Sequence, residues 1–330
     1  MTYNIAHYAD VPDFIYGITR EIWEDRGIGE KLQKYYAADC LVRAATGLAA
    51  DNLDVTAQTL QTLHQFPDRQ LVGEDVIWQG YQDGSFLSSH RLISVMRHEG
   101  AGIYGPATGR LVRSRIIADC WIVDGQVKEE WLVRDQSAFA KCMGIDPVAM
   151  ARDMVARDLR RTGAVAFFTP ERDQPSHYKA EIQADADAYC QGWKQIWDVK
   201  ETAAIKDLYF HGANVMAPGG EALSGHSDID RFVISYLASF PDARLTIESA
   251  IVNRNPGQPV RVALRWALRG THSGYGRFGE PTSAPVYVMG LSHAYIVDGR
   301  VSQEWIVTDE VTIWKQIFAH VESKAGADVA

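Results

Sequence analysis

The sequence predicts an α+β fold built twice in tandem, each copy packing helices on a strongly curved antiparallel sheet. Three observations predict it. The stretch Trp121-Ile-Val-Asp-Gly-Gln-Val-Lys-Glu-Glu-Trp131-Leu-Val-Arg-Asp135 returns as Tyr295-Ile-Val-Asp-Gly-Arg-Val-Ser-Gln-Glu-Trp305-Ile-Val-Thr-Asp309, ungapped, at an offset of 174 residues. In each half, helical periodicity comes first and strand-like alternation follows. The same offset links Ile22-Trp23 to Ile196-Trp197, Tyr35 to Tyr209 and Asp54 to Asp228. It also links His98, Gly100, Gly102, Gly105 and Thr108 to His272, Gly274, Gly276, Gly279 and Thr282. Two copies are too few for a solenoid, so a paired-domain pseudo-dimer is expected.

The elements follow from local pattern. Ile15, Ile18, Ile22 and Trp23 give a helical stripe within 11–36, which Gly27 and Gly29 break before a short helix at 30–36. Residues 54–65 form a further helix, with Asp54 as its expected N-cap and Phe66-Pro67-Asp68 as its stop. Strands are expected at 70–79, 85–98, 110–123 and 127–135, with a short helix at 136–143. The second half repeats the order: helices over 177–198 and 228–237, strands at 244–253, 259–272, 284–297 and 301–309, and a helix at 310–320. Asp124-Gly125 and Asp298-Gly299 sit between alternating runs and predict hairpin turns. The domains are thus 1–144 and 177–330. Residues 145–176 are a linker with a helix at 147–161, capped by Pro147 and Arg160-Arg161.

Composition narrows the function. Apolar content of 46% and charged content of 23% are those of a globular protein. A net charge of −9 argues against nucleic acid or an anionic membrane as partner. No apolar run reaches the ~18 residues of a membrane span. The first ten residues lack a signal peptide's basic start and apolar core. Cys40, Cys120, Cys142 and Cys190 are far apart and fit reduced thiols, so a cytoplasmic protein is expected. No metal-binding spacing, dinucleotide fingerprint, nucleophile elbow or P-loop occurs, and no cofactor is expected.

Several spaced motifs resemble the SnoaL-like branch of the nuclear transport factor 2-like superfamily. They are Arg265-Trp266-Ala-Leu-Arg-Gly270-Thr271-His272-Ser-Gly274, then Gly279-Glu-Pro-Thr282, then Asp298-Gly299-Arg-Val301. The first copy keeps His98, Gly100, Gly102, Gly105-Pro106-Ala-Thr108-Gly109 and Asp124-Gly125, but lacks the Trp and the Gly-Thr before its histidine. The resemblance covers about 22–143 and 196–320. It implies a conical α+β barrel around an apolar pocket, used by cofactor-free cyclases, isomerases, dehydratases, epoxide hydrolases and lignin-dimer lyases. In the cyclases an acid stands just past the strand's Trp. Here that residue is Leu132 or Ile306, and the acid comes later, at Asp135 and Asp309.

The expected catalytic residues are His98, His272, Arg97, Asp135 and Asp309. An imidazole suits proton transfer near neutral pH, an arginine can hold an oxyanion, and an acid buried beside Trp has a raised pKa. Each has a structural alternative: a turn-holding histidine, an outward arginine and a helix-capping aspartate. Arg91 and Arg265, matched across the copies, share the arginine reading. Asp119 and His293 occupy matched positions but differ. Tyr35, Trp78, Tyr104, Trp131, Trp266 and Trp305 are expected to line the substrate pocket, with Tyr8, Tyr16, Tyr36 and Tyr81 as further candidates. Glu130 and Glu304 alternate with the tryptophans and are expected to be solvated or salt-bridged across the sheet.

The function expected is a cofactor-independent lyase acting on a hydrophobic aromatic, lignin-like small molecule. The alternatives are a polyketide-type ester cyclase or isomerase, and a non-catalytic small-molecule-binding protein. Which copy is active stays open, and so does assembly into a homo-oligomer.

Overall fold

The computed structural model describes residues 3–327 and divides into two compact units. The first holds the chain up to Ile145 and Phe168–Lys179; the second holds Asp146–Phe167 and Ala180 onward. The segment expected as a linker is therefore shared between them.

In the first unit, α1 (Val11–Thr19) runs into a π-turn, Arg20–Glu24, and is followed by α2 (Glu30–Tyr35). Next come β1 (Tyr36–Ala44), β2 (Gly47–Ala49), α3 (Asn52–Gln65), β3 (Gln70–Gly80), β4 (Phe86–Arg97), β5 (Leu111–Val123), β6 (Gln126–Arg134) and α4 (Gln136–Met143). Asp51, not Asp54, caps α3: its carboxylate accepts from the Asp54 N–H at 2.7 Å, while Asp54 reaches back to the Ala50 N–H at 3.1 Å. The two acids form a reciprocal cap.

The strand order is β2-β1-β6-β5-β4-β3. All pairs are antiparallel except β1 with β6, so the sheet is mixed rather than purely antiparallel. Strands β1 and β2 were not expected from the sequence. Register shifts at Gly73/Asp75 and Trp121/Ile122 mark bulges, which bend and twist a sheet. The β5–β6 turn places Asp124 at φ 51° and Gly125 at φ 76°, the positive-φ pair of a tight hairpin.

The second unit opens with α5 (Pro147–Thr162). It continues with α6 (Asp187–Trp193), a π-turn Lys194–Asp198, α7 (Ile205–Leu208), β7 (Tyr209–Ala217), β8 (Glu221–Ser224), α8 (Gly225–Ser239), β9 (Arg244–Asn253), β10 (Val260–Thr271), β11 (Pro285–Val297), β12 (Arg300–Thr308) and α9 (Glu310–Ala327). Its sheet order, β8-β7-β12-β11-β10-β9, repeats that of the first. The bounds of β10, β11 and β12 are those of β4, β5 and β6 displaced by 174 residues, so the sequence offset is also a structural one. Helix α5 docks on α9, where Lys315 Nζ meets Asp158 Oδ2 at 3.1 Å.

In both units the helices cover one face of the sheet. In the first, Phe14, Ile15, Ile18 and Ile22 from the N-terminal helix and Val55 from α3 pack on Val76, Phe86, Ala118, Cys120 and Ile122. That covered, concave face positions the candidate site. Among the described residues no helix is long and apolar enough to cross a membrane.

Candidate active site

Alternation along β6 puts Glu130, Leu132 and Arg134 on the concave face and Trp131 and Val133 on the other. Across the sheet, Glu130 aligns with Cys120 and Ser88, Leu132 with Ala118 and His90, and Arg134 with Ile116 and Leu92. Val76 and Trp78 of β3 complete the wall opposite His90 and Ser88. The expectation for Glu130 and Glu304 is overturned: they are 5% and 0% exposed, inside the cone rather than solvated. The tryptophans took the outer face. Trp131 packs under the Arg43 guanidinium at 4.9 Å and beside Tyr178 at 5.7 Å, and Trp305 lies 4.8 Å from Tyr295.

The two buried glutamates differ in how they are held. Glu304 accepts from the hydroxyl of Tyr189 and from Trp193 Nε1 (3.1 Å) on one oxygen, and from Tyr209 Oη (2.6 Å) on the other. Burial pushes its pKa up to about 7 against the pull of these donors. Glu130 accepts from Tyr36 Oη (2.8 Å) on Oε2 alone, and its Oε1 takes no hydrogen bond among the described residues. Burial raises its pKa too, while the Tyr36 hydroxyl and the charge of Arg134 pull the other way. Tyr36 and Tyr209 stand at equivalent starts of β1 and β7, opposite Val127 and Val301.

Around these carboxyls the copies have diverged. The second interior is filled with aromatic rings. Trp193 lies 5.8 Å from Trp197 and 5.2 Å from Trp266, whose Nε1 donates to Ser292 Oγ at 3.0 Å. Gly290 makes room for the Trp266 ring, since a Cβ there would sit 2.2 Å from it. At the 174-residue offset the first copy has Thr19 for Trp193, Leu92 for Trp266 and Ile15 for Tyr189. Where the second wall has Leu264, Thr308, Leu268 and Val262, the first has His90, Arg134, Ser94 and Ser88. Trp23, Leu132 and Arg134 are only half-buried, while the matched Trp197, Ile306 and Thr308 are buried. The first cone is thus less buried, more polar and more titratable, and the second is more fully filled with aromatic rings. His90 is neutral at pH 7, its pKa pushed down to about 4 by burial, and its Nδ1 lies 3.4 Å from Ser88 Oγ.

The residues expected from sequence are dispersed. His98 and His272 are buried in matching loops. Each Nδ1 faces a threonine hydroxyl, Thr108 at 3.2 Å and Thr282 at 3.1 Å, and burial lowers each pKa. The Thr108 N–H also points at His98 Nδ1 (3.3 Å), so the ring proton sits on Nε2. The ring stacks on Phe66 at 5.0 Å, and the backbone of His98 pairs with Gly109 and Arg110. These contacts latch the loop. Arg97 is exposed, off the concave face, and donates to the Gly109 carbonyl. Arg91 and Arg265 lie on the outer face, paired with Glu74 (2.9 Å) and Glu248 (3.2 Å). Asp135 caps α4 by accepting from the Ala138 N–H, and Asp309 caps α9 by accepting from the N–H and hydroxyl of Thr312.

Of the expected pocket residues, Trp78 is on the first concave wall and Trp266 on the second. Tyr35 donates to Glu21 at 3.0 Å, and Tyr104 packs 4.6 Å from Phe139 at the loop end of the cone. Sequence reasoning passed over Glu130 as a site and missed His90, Arg134 and Arg69. A position-by-position comparison of the copies would have flagged the last three, because each faces an uncharged partner: Leu264, Thr308 and Ala243. No group of three or more His, Cys, Asp or Glu is placed to hold a metal ion among the described residues.

An α+β cone of helices on a bent six-stranded sheet is the nuclear transport factor 2-like fold, and this chain carries it twice. Residues 188–317, within the second unit, match the family model of the SnoaL-like polyketide cyclases. Among solved structures, one similar chain is wild-type IdmH, a putative polyketide cyclase from Streptomyces antibioticus. It is 21% identical with a TM-score of 0.35, and the match covers 41% of this chain and 99% of that one. AclR, a putative hydroxylase from Streptomyces galilaeus, is 22% identical with a TM-score of 0.36, covering 41% and 86%. A protein of ketosteroid isomerase-like fold from Catenulispora acidiphila is 13% identical with a TM-score of 0.33, covering 39% and 91%. No curated protein matches the chain.

Proposed function

We propose that the first unit is a cofactor-independent acid–base catalyst acting on a small hydrophobic aromatic molecule, and that its reaction is of the lyase class. The observation that carries this reading is the half-satisfied carboxyl of Glu130. It is buried, raised in pKa and held on one side by Tyr36, with Oε1 unclaimed. A carboxylate in this state is a stronger base than one in water. In an elimination, Oε1 takes the proton from a substrate carbon. The C–H electron pair becomes the new double bond, the C–O bond breaks, and the leaving oxygen takes the proton to depart as water or an alcohol. The Tyr36 phenol, its own pKa pushed well up by burial and by Glu130, stays protonated and orients the carboxylate. Neutral His90 is on the same face, two strand spacings across and two residues along from Glu130, about 12 Å away at the backbone, which leaves room for an aromatic ring system between them. Trp78 and Leu132 supply the apolar wall.

A second reading is a polyketide-type ring closure, which the family match over 188–317 favours. It needs the same base but uses the carbanion to attack a carbonyl within the substrate. The purified chain should therefore be assayed against phenylpropanoid diols, polyketide esters and ketosteroids. Turnover of the diols is expected, falling at least ~100-fold in Glu130→Gln and holding in Glu304→Gln. Turnover of the polyketide esters alone would favour the second reading. Tight ligand binding without turnover of any class would make this a binding protein, and full activity in Glu130→Gln would remove Glu130 from the chemistry.

A further inference from the structure

The first cone carries two arginines, Arg69 and Arg134, that form no salt bridge among the described residues. Arg69 follows α3 and is 8% exposed, yet among the described residues its only side-chain hydrogen bond is from Nε to Ser94 Oγ at 3.2 Å. Ser94 lies on the concave face, two residues beyond Leu92 and four beyond His90. Arg134 is half-buried on the same face, one residue row away, and its side chain makes no hydrogen bond or salt bridge among the described residues. Each is close enough to feel the other. Burial first, and then the like charge of Arg134, pull the Arg69 pKa down to about 9. The groups acting on Arg69 are Arg134, Tyr104 and Arg26, none of them a carboxylate. Arg134 acts on Glu130 through its charge, with no ion pair between them among the described residues.

Buried arginine is ordinarily paired, because an uncompensated charge in a protein interior costs several kcal/mol. Elsewhere this chain follows that rule. Arg43 bonds Glu129 at 2.7 Å, and Arg277 bonds Glu221 at 2.7 Å. The second copy has Ala243 and Thr308 at the equivalent positions, so the fold does not require the arginines. Resting on the reading of the first cone as the ligand site, we propose that Arg69 and Arg134 bind a carboxylate of the ligand. Its aromatic body would then extend past Leu92 towards His90 and Glu130. The two terminal nitrogens of Arg69 are the free end of a fork whose Nε is anchored, which suits bidentate carboxylate binding. The substrate class is thereby narrowed to aromatic acids.

The test measures binding without turnover. Cinnamate and its uncharged counterpart cinnamamide are titrated into the full chain and followed by calorimetry. Cinnamate should bind at least ~10-fold more tightly, as a charge-assisted pair predicts. Arg134→Gln, a half-buried position, should fold normally and erase that preference while leaving cinnamamide binding unchanged. Arg69→Met should do the same, and melting curves exclude an unfolded variant from the comparison. Equal binding of the two probes to the wild type would overturn the proposal, and so would a preference that survives in Arg134→Gln. The outcome is separable from the catalytic reading. If Glu130→Gln keeps full turnover while the arginine variants lose the cinnamate preference, the anion site stands and the assigned base falls.

Discussion

Glu304, fully buried in the aromatic-filled second cone, gives that cone a measurable signature. Its carboxyl would titrate near 4.5 in the unfolded chain and titrates near 7 in the fold, because burial favours the neutral form. Below pH 4.5 both states are protonated, and the contribution of the neutral, three-donor carboxyl is fully present. As pH rises towards 7 the unfolded chain loses its proton first, so the folded state loses stability, and above 7 the loss is complete. At 1.36 kcal/mol per pH unit the gap corresponds to roughly 3 kcal/mol. Urea midpoints should therefore fall between pH 5 and pH 8 in the wild type and fall less in Glu304→Gln, which cannot ionise. An identical slope in the two proteins would show that this carboxyl is not carried neutral. Glu130 has the same sign of shift but a catalytic consequence. The acidic limb of kcat/KM, where Glu130 gains its proton and stops acting as a base, should lie above the ordinary carboxylate range and vanish in Glu130→Gln.

Individual elements are held by residues that a sequence reader is drawn to as catalysts. Asp135 and Asp309 each close the first turn of a helix, so Asp135→Ala or Asp309→Ala should cost about 1 kcal/mol of stability and leave kcat unchanged. A hundredfold loss of kcat in a variant that melts normally would return that aspartate to the chemistry. The sequence and the structure agree closely for β3–β6 and β9–β12, because their alternation is regular and Asp-Gly marks the turn. They disagree at β1, where Tyr36-Ala-Ala-Asp-Cys-Leu-Val-Arg-Ala follows α2 without a turn residue and shows no strict alternation of burial. That strand exists because it pairs in parallel with β6, a partner some ninety positions away that no local pattern records. The site was hidden for a related reason. Alternation puts Glu130 opposite Trp131, and a large aromatic ordinarily marks the interior. It lies instead on the outer face under Arg43, which leaves the acid facing in.

At the scale of the whole molecule, the proposed function assigns to separate copies two demands that compete within one cone. A cavity that binds and reacts gives up packing, while a filled interior gains dispersion contacts and loses its access. The second copy, whose residues 188–317 match the SnoaL-like polyketide cyclase model, fills its centre with Trp193, Trp197 and Trp266. The first, with Leu92 in place of Trp266, keeps Thr19, Leu92, His90 and Arg134 around a carboxyl with one oxygen to spare. Exchanging the filling residues between copies tests this division directly. Thr19→Trp with Leu92→Trp should occupy the first cone, abolish turnover and cinnamate binding, and leave the melting temperature level or higher, as cavity filling does. Trp193→Thr should cost roughly 3–5 kcal/mol, the penalty for emptying a packed aromatic site, and also free one donor from Glu304. At a temperature where that variant remains folded, its turnover should match the wild type. Undiminished turnover in the filled first cone, or its loss in a folded Trp193→Thr protein, would move the active cavity to the second copy.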